Sequence, residues 1–204
     1  MPNGLRPQQL KDLLHLLRSV VEDEGLDTTV RIAGGWVRDK LLAVKGEGEG
    51  GAGIDPPKDI DIALDDMSGV DFSQRVDGWN KRHGQQRLKW GIIKSNPAQS
   101  KHLETATVTI GSFDVDFVNL RTETYANDSR IPAIEIGTAY EDAMRRDLTI
   151  NSLFYNVNDG QVEDFTGRGL RDLKNRVVDT PLDPLVTLKD DPLRSLRAVR
   201  FAAR

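Results

Sequence analysis

Hydrophobic residues recur at helical spacing near the start of the chain. Between residues 8 and 22 they fall three or four positions apart, at Leu10, Leu13, Leu14, Leu17, Val20 and Val21. This spacing predicts an amphipathic helix. A short apolar stretch from Val30 to Ala33 then predicts a strand, and a Gly-Gly pair separates it from a second helical segment, WVRDKLLAV.

The segment KDIDIAL alternates between polar and apolar residues, as a strand does when one of its faces is buried. Its two isoleucines and its leucine share one face, and Asp59 and Asp61 share the other. A Gly-rich stretch from Gly46 to Gly53 precedes this strand and leads to a Pro-Pro pair, which predicts a flexible surface loop. We interpret this stretch as an inert insertion.

Further helix and hairpin patterns follow along the chain. FSQRVDGWNKRHG has helical spacing, with Phe72, Val76 and Trp79 facing inward. HLETATVTIGSFDVDFVNLR predicts a β-hairpin that turns at Gly111-Ser112. AYEDAMRRDLTINSLFYNV predicts one helix or two short ones, followed by a small strand pair around DGQVEDF. The last segment, DPLVTLKDDPLRSLRAVRFAAR, predicts the start of a basic helix.

Composition and charge narrow the class of protein. The 204 residues carry a net charge of −4, which disfavours a protein that coats DNA or RNA. There is no cysteine, so disulfides and thiolate metal sites are excluded. No apolar run is long enough to span a membrane, and charges interrupt the apolar stretches of the N-terminus, so we expect neither a membrane segment nor a signal peptide. A Walker motif is absent, which disfavours a P-loop NTPase.

A pair of carboxylates is the first candidate for chemistry. Asp59 and Asp61 lie two residues apart on a predicted strand, so both side chains point to one face. Two hard oxygen ligands at this spacing suit Mg²⁺, whose other ligands are commonly waters and substrate phosphates. Asp116 becomes a third carboxylate of the site if its strand neighbours the first. The alternatives are a solvated strand face for the pair and a strand-end acid for Asp116.

A glycine turn is the second candidate. Gly34 and Gly35 stand between a strand and a helix, where backbone without Cβ lets a phosphate approach the free N–H groups of the helix. Arg38, on the first turns of that helix, is within reach of the same phosphates. The alternative is a tight turn that holds no ligand.

RRDLTIN is the third candidate. If the segment is helical, Arg145, Arg146, Asp147 and Asn151 lie on nearly one face, and Asp147 and Asn151 are i, i+4 neighbours. Arginine forks suit phosphates, and an Asp–Asn pair suits sugar hydroxyls. The alternative is a salt-bridged helix surface.

DDPLRSLRAVR is the fourth candidate. Its charged residues are Asp190, Asp191, Arg194, Arg197 and Arg200. The three arginines form a basic stripe at i, i+3 spacing. An acid and an arginine held side by side present fixed hydrogen-bond donors and acceptors, as a Watson–Crick edge does. The alternative is a solvated charged face.

Taken in order, these segments resemble a known family. The chain resembles the class II tRNA nucleotidyltransferases, the CCA-adding enzymes, in their eukaryotic form. The resembling segments are RIAGGWVRDKLL, KDIDIALDDM, SNPAQSKHLETATV, VDFVNLR, RRDLTINSLFYN, VEDFTGRGLRDL and DDPLRSLRAVRFAAR. The resemblance implies an α+β fold, in which a small mixed β-sheet head of the DNA polymerase beta superfamily precedes the start of a helical neck. It implies an N-terminal helix over residues 1–29, a head over 30–180 and a truncated neck over 181–204. We therefore expect the natural protein to continue beyond Arg204.

The resemblance also implies an activity, which is addition of CMP, CMP and AMP to the 3′ end of tRNA from CTP and ATP, with Mg²⁺ as cofactor and pyrophosphate as product. SNPAQSKHLETATV would be the mobile loop that switches addition from C to A. The implied residues are Asp59 and Asp61 for metal; Asp116 for catalysis; Gly34, Gly35 and Arg38 for the triphosphate; Arg146, Asp147 and Asn151 for ribose; Asp191 and Arg194 for the base; and Arg197 and Arg200 for the phosphates.

Rival interpretations remain open at this point. A poly(A) polymerase of the same branch, an enzyme adding only CC or only A, and a non-catalytic NTP-binding fragment carry the same head motifs. Many bacterial members of the family have Glu where this chain has Asp190, so its role is open. The family's tRNA-gripping body and tail are absent from this chain. The resemblance places the protein inside the cell, in the cytoplasm, mitochondrion or nucleus.

Overall fold

The structure is a computed structural model, and it describes residues 5–46, 58–85, 87–93, 105–124 and 133–203. Residues 47–53 of the expected insertion and residues 95–104 of the expected mobile loop lie outside these ranges. The helices are α1 Leu5–Asp23, α2 Gly35–Gly46, α3 Gly69–Arg82, α4 Ala139–Met144, α5 Gly169–Asn175, α6 Pro184–Asp190 and α7 Leu193–Ala202. The strands are β1 Val30–Ala33, β2 Asp59–Leu64, β3 Lys89–Ile93, β4 Thr105–Ile110, β5 Phe113–Asn119, β6 Arg121–Thr124, β7 Ala133–Ile136, β8 Phe154–Asn156 and β9 Gln161–Glu163.

The chain forms two compact units that interleave along the sequence. Unit 1 comprises Met1–Ile32, Lys58–Asn119 and Asn156–Gln161. Unit 2 comprises Ala33–Pro57, Leu120–Tyr155 and Val162–Arg204. The predicted domain boundaries at residues 30 and 180 stay a prediction. They delimit continuous stretches of the chain, whereas each of the two units is made of separate stretches.

A mixed sheet organises the fold, with strand order β3-β4-β5-β2-β1-β8-β9. β2 pairs antiparallel with β1 and parallel with β5. Parallel neighbours need a long crossover connection, and here α3, β3 and β4 lie between β2 and β5 in the chain. The expected α+β fold with a small mixed sheet is confirmed.

The core of unit 1 lies where the apolar alternation places it. Ile60 and Ile62 of β2 are buried, as is Phe117 of β5. Phe72 of α3 packs its ring 5.3 Å from that of Phe117, and Val76 is also buried. Burying side chains of this size is the main favourable contribution to folding.

Trp79 departs from its expected inward position. It is only half-buried, because its indole Nε1 donates a 2.8 Å hydrogen bond to Asp23 at the end of α1. Its ring stacks on His83, with centroids 3.9 Å apart. A tryptophan with a polar partner of this kind lies at the edge of a core.

The close approach of α3 to β5 depends on a glycine. A Cβ on Gly69 would lie 2.1 Å from the backbone oxygen of Phe117, whereas one on Gly78, in the same helix, would meet only Arg82 Nη1 at 3.5 Å. The first distance is a collision with backbone, which cannot move without disturbing the strand. The helix therefore begins against β5 only with glycine at position 69.

The segment AYEDAMRRDLTINSLFYNV contains two short helical pieces, the second of the two predicted alternatives, but the expectation that the polar residues of RRDLTIN share one face is wrong. α4 begins at a capping box between Thr138 and Glu141 and ends at Met144. A separate 3-10 turn covers Thr149–Asn151. Leu148 between them is extended, so the four polar residues do not share a helix face.

The basic C-terminal segment is two helices, where one was expected. α6 ends at Asp190, and Asp191 has extended backbone with φ −141° and ψ 98°. The physical reason is Pro192, because the proline ring disfavours helical backbone at the residue before it. α7 then begins at Leu193.

A buried carboxylate holds α4 to β6 inside unit 2. Asp142 Oδ1 accepts hydrogen bonds from Arg145 Nη2 at 2.6 Å and from the backbone N–H of Arg121 at 3.3 Å. Its Oδ2 accepts from Arg146 Nη2 at 2.7 Å. Burial raises the pKa of Asp142, but the charges and hydrogen bonds of Arg146 and Arg145 outweigh it, so this pKa lies below its ordinary value.

We predict that Gly69→Ala destabilises the chain by about 1–3 kcal/mol, because the added methyl group collides with the backbone of β5. Gly78→Ala is the matched control in the same helix. It should stabilise by roughly 0.5–1 kcal/mol, since alanine favours helix and meets only a flexible side chain. Urea midpoints measure both changes, and equal midpoints for the two variants would contradict the close approach.

We predict that Asp142→Asn destabilises the chain by about 3–5 kcal/mol, because two half-buried arginines lose their buried counter-charge. The folded pKa of Asp142 is depressed, so its stabilisation is present above the ordinary value of about 3.9 and is lost as pH falls through the folded pKa.

The free energy of unfolding of the wild-type chain should therefore fall below about pH 4 more steeply than that of the variant. Urea titrations at several pH values measure this difference. Glu22→Gln, at an exposed acid on α1, serves as the control and should leave both quantities unchanged. Parallel pH profiles for the wild type and Asp142→Asn would argue against the role of this carboxylate.

Candidate functional site

A row of carboxylates crosses two adjacent strands of unit 1. β2 and β5 are parallel and in register, with Asp59 opposite Asp114 and Asp61 opposite Asp116. Side chains in register on neighbouring strands point to the same face. Asp59 and Asp61 are exposed, while the residues between and after them are buried. These four acids, the carboxylate row, therefore share the face opposite to the core, and Asp116 does neighbour the pair as its predicted role required.

Threonines of β4 orient the two acids of the carboxylate row that lie on β5. Thr107 Oγ1 donates a 2.6 Å hydrogen bond to Asp116 Oδ1, and Thr109 Oγ1 donates a 3.2 Å bond to Asp114 Oδ1. Both threonines are the register partners of these acids across the β4–β5 pair. One oxygen of Asp116 is thus fixed by the sheet itself. Its catalytic role stays a prediction.

The donor set fits a divalent metal that shares its coordination with substrate. Within the described residues, no group of three or more His, Cys, Asp or Glu side chains is arranged to hold a metal ion by itself. Mg²⁺ is commonly bound by one or two carboxylates, with waters and phosphates as its remaining ligands. Asp59 and Asp61 offer such a pair on an exposed face.

The glycine turn belongs to unit 2, and its two glycines differ. Gly34 has φ +68°, and a Cβ there would lie 2.6 Å from Arg146 Nη1. Packing within the unit is therefore a sufficient reason for glycine at position 34. A Cβ on Gly35 would make only ordinary contact with the Arg38 guanidinium, at 3.6 Å. Close approach of a phosphate stays the predicted reason for glycine at position 35.

Arg38 is buried, with only 7% of its surface exposed. Its Nε donates to Asp39 Oδ1 at 2.8 Å, and its Nη1 donates to Asn151 Oδ1. The Phe201 ring lies 4.6 Å from its guanidinium carbon. Arg38 thus contacts Asp39, Asn151 and the Phe201 ring. A phosphate would have to bind the guanidinium N–H groups that do not bind these partners.

Asp147 and Asn151 contact each other, although they do not share a helix. Asn151 Nδ2 donates to Asp147 Oδ1 at 3.0 Å, and Arg197 Nε donates to Asp147 Oδ2 at 2.6 Å. Burial raises the pKa of Asp147, but the hydrogen bonds from Arg197 and Asn151 outweigh it and hold this pKa below its ordinary value. A hydrogen-bonded chain therefore runs from Asp39 through Arg38, Asn151 and Asp147 to Arg197; we call it the polar relay.

Arg146 lies beside this relay. Its Nη1 donates to the backbone oxygen of Asn151 at 3.3 Å, and its guanidinium carbon lies 5.0 Å from the centre of the Phe154 ring. Its other nitrogens bind Asp142. Arg146 is thus placed next to the predicted ribose pair.

The three arginines of α7 have three different environments. Arg194 is buried, Arg197 is bonded to Asp147, and Arg200 is exposed with its guanidinium carbon 5.0 Å from the Phe201 ring. Asp191 Oδ1 accepts a 3.0 Å hydrogen bond from the backbone N–H of Leu193, and its Oδ2 lies 4.0 Å from Arg194 Nε. The acid and the arginine are therefore held side by side, as the spacing indicated.

Four residues that contact the candidates were not predicted from the sequence. These are Asp39, Glu123, Asp142 and Phe201. Arg121 and Glu123 are two apart and share a face, but this becomes visible only once residues 121–124 are known to form a strand. Asp142, by contrast, looks like an ordinary acid in the first turn of a helix.

Comparisons with known proteins show which family the chain resembles. The model of the poly A polymerase head domain matches residues 30–179. The chain is 48% identical over 202 residues to the mitochondrial CCA tRNA nucleotidyltransferase of Saccharomyces cerevisiae, covering 96% of this chain and 34% of that protein. It is 51% identical over 213 residues to nucleotidyltransferase lcsQ of Purpureocillium lilacinum, covering 98% of this chain and 33% of that protein.

A solved structure of a CCA-adding enzyme, apo form II, superposes with a TM-score of 0.71 at 29% identity, covering 95% of this chain and 40% of the other. The chain spans about a third of the length of the two curated relatives. Among the described residues, no helix is long and apolar enough to cross a membrane. Nucleotidyltransferases generally use a divalent metal. The expected resemblance of this chain to nucleotidyltransferases is confirmed. The chain belongs to the poly A polymerase head domain family of nucleotidyltransferases.

Proposed function

We propose that this chain is the nucleotide-transferring head of an enzyme that adds CMP, CMP and AMP to the 3′ end of tRNA from CTP and ATP. The 3′ hydroxyl oxygen attacks the α-phosphorus, the bond from that phosphorus to the bridging oxygen breaks, and pyrophosphate leaves. The observation that carries the proposal is the carboxylate row, in a chain that aligns over 96% of its length with a CCA tRNA nucleotidyltransferase. Binding of tRNA by the remainder of such an enzyme is part of the same proposal.

Asp59 and Asp61 are proposed to hold Mg²⁺, because both carboxylates are exposed on one face of β2. When bound, Mg²⁺ lowers the pKa of the attacking hydroxyl and neutralises charge on the leaving pyrophosphate. Asp116 is proposed to accept the proton of the 3′ hydroxyl through Oδ2, because Oδ1 accepts the hydrogen bond from Thr107. Its position opposite Asp61 supports this assignment.

The polar relay is proposed to bind the sugar and phosphates of the nucleotide. Gly34, Gly35 and Arg38 would receive the triphosphate at the start of α2, and Arg197 and Arg200 would approach it from α7. Arg146, Asp147 and Asn151 would select ribose. The support is that Arg38, Arg146 and Arg197 each bind one carboxylate, while a guanidinium has more N–H donors than one carboxylate accepts.

Asp191 and Arg194 are proposed to read the Watson–Crick edge of the incoming base. Their support is the fixed pairing at the start of α7, where the backbone N–H of Leu193 holds Asp191 and leaves its second oxygen beside Arg194. A base that mismatches this pair leaves a buried group unpaired, which costs more than a missing contact. The name of the yeast relative supports the mitochondrion as the first compartment in which to look for the protein.

Addition of AMP alone, as by a poly(A) polymerase, is the second candidate function, since the matching family model is described by that activity. The two enzymes would differ in the nucleotides that they accept. The carboxylate row and the polar relay serve either reaction.

We predict that Asp59→Ala lowers the rate of nucleotide transfer by roughly 1,000-fold or more, because a ligand of the catalytic metal is lost. The circular dichroism spectrum and melting temperature should not change, since Asp59 is exposed. Glu22→Ala, at an exposed acid on α1 that lies outside the carboxylate row, is the control and should keep most activity. Unreduced transfer by Asp59→Ala would remove the metal assignment, as would full activity in EDTA.

We predict that a tRNA ending before CCA gains two residues from CTP alone, none from ATP alone and all three from both. Gel electrophoresis resolves the products at single-nucleotide length. Long tails from ATP alone would establish the poly(A) alternative. Binding of CTP without release of pyrophosphate would indicate a nucleotide-binding module that performs no transfer.

A further inference from the structure

Glu123, on β6, is almost enclosed and is surrounded by arginines of unit 2. Only 7% of its side chain is exposed. Its Oε1 accepts a 2.7 Å hydrogen bond from Arg145 Nη1 and lies 3.4 Å from Arg121 Nε, and its Oε2 lies 3.7 Å from Arg194 Nη2. A carboxylate with this many cationic neighbours is stable when buried, because it is paired on both oxygens.

One end of Glu123 is anchored to a rigid part of the unit. Arg145, which binds Oε1, also donates to Asp142 Oδ1 at 2.6 Å and to the backbone oxygen of Arg121 at 3.1 Å. Asp142 is itself buried. Oε1 of Glu123 is therefore bound where α4 meets β6, and Oε2 is the oxygen that lies toward Arg194.

Arg194 consequently lies between two carboxylates. Glu123 Oε2 is 3.7 Å from its Nη2, and Asp191 Oδ2 is 4.0 Å from its Nε. Asp191 is fixed at the start of α7 by the backbone N–H of Leu193. The two acids lie beside different nitrogens of the guanidinium, so together they determine both its position and its orientation.

The guanidinium of Arg194 is not enclosed by apolar packing on every side, because it borders a cavity. A cavity of about 170 Å³ lies beside it, lined by Glu123, Arg145, Arg194 and Asp190 and by the side chains of Tyr140 and Met144. An arginine side chain has several rotatable bonds, and the cavity has room for another position of its tip. Loss of the charge of Glu123 would remove the attraction at Nη2 and favour displacement of the guanidinium tip toward that space.

We propose that Glu123 is a positioning residue for Arg194 and, through it, a determinant of nucleobase specificity. The proposal rests on the proposed function, in which Arg194 reads the base. A base-reading donor displaced by about an ångström no longer meets its acceptor, so positioning of the guanidinium controls discrimination between bases. Glu123 touches neither the base nor the phosphates.

The test measures equilibrium dissociation constants of CTP, ATP, UTP, GTP and inorganic tripolyphosphate, each with Mg²⁺. The variants are Glu123→Gln, which removes the charge and keeps the shape, and Glu123→Asp, which keeps the charge. Glu135→Gln is the matched control, because Glu135 is an exposed acid on β7, the strand paired with β6.

Glu123→Gln is expected to weaken CTP and ATP binding by about tenfold, since the hydrogen bonds of one charged group are misplaced. UTP and GTP should change little, so discrimination falls by a similar factor. Tripolyphosphate, which has no base, should bind as it does to the wild type. Glu123→Asp should restore part of the discrimination, and Glu135→Gln should match the wild type.

Three results would overturn this inference, and they differ from one another. If the wild type itself fails to prefer CTP and ATP, the proposed base reading fails, and the role of Glu123 fails with it. If the wild type discriminates and Glu123→Gln discriminates equally well, only the role of Glu123 is refuted. If Glu123→Gln loses tripolyphosphate and CTP to the same extent with a lowered melting temperature, Glu123 is merely structural.

Discussion

Burial of arginine is the constraint on which unit 2 depends. A guanidinium stays charged in any folded protein, so each buried one must have a carboxylate within reach. The buried Arg38 and Arg194 have Asp39 and Glu123, and the half-buried Arg145 and Arg146 share the buried Asp142. Arg145 joins the end of α4 to β6, and Arg194 joins α7 to β6, because both contact Glu123. The network therefore replaces much of the apolar packing that such short helices cannot supply.

Unit 1 depends on a different constraint, which is strand register. In β2, acids and apolar residues alternate, and in β5 they alternate in the same phase. A slip of one residue would turn one strand's acids into the core and its apolar residues into solvent. The burial of Ile60 and Val115, which are register partners, therefore fixes the same face for Asp61 and Asp116. The position of the carboxylate row is a consequence of core packing.

Sequence patterns predicted the elements whose signal is local. β1, β2 and the β4–β5 hairpin lie where alternation placed them, and the side-by-side placement of Asp191 and Arg194 followed from spacing. No pattern indicated β3, β6 or β7, because short strands with charged residues have no distinctive periodicity. The shared face expected for the polar residues of RRDLTIN was wrong, because Leu148 is extended and separates the two short helical pieces.

The partners that decide the candidate site are long-range, and this has a consequence for how a nucleotide would be recognised. Asp147 binds Arg197 across fifty positions, and Arg38 binds Asn151 across more than a hundred. A single arginine could not be optimised for a ligand without changing the fold, because the guanidinium that binds a phosphate or a base would also fill a structural role with some of its N–H groups. Rigid arginines with spare donors lose little conformational entropy on binding. The ion pairs that stabilise unit 2 would therefore also prepare it to bind a nucleotide.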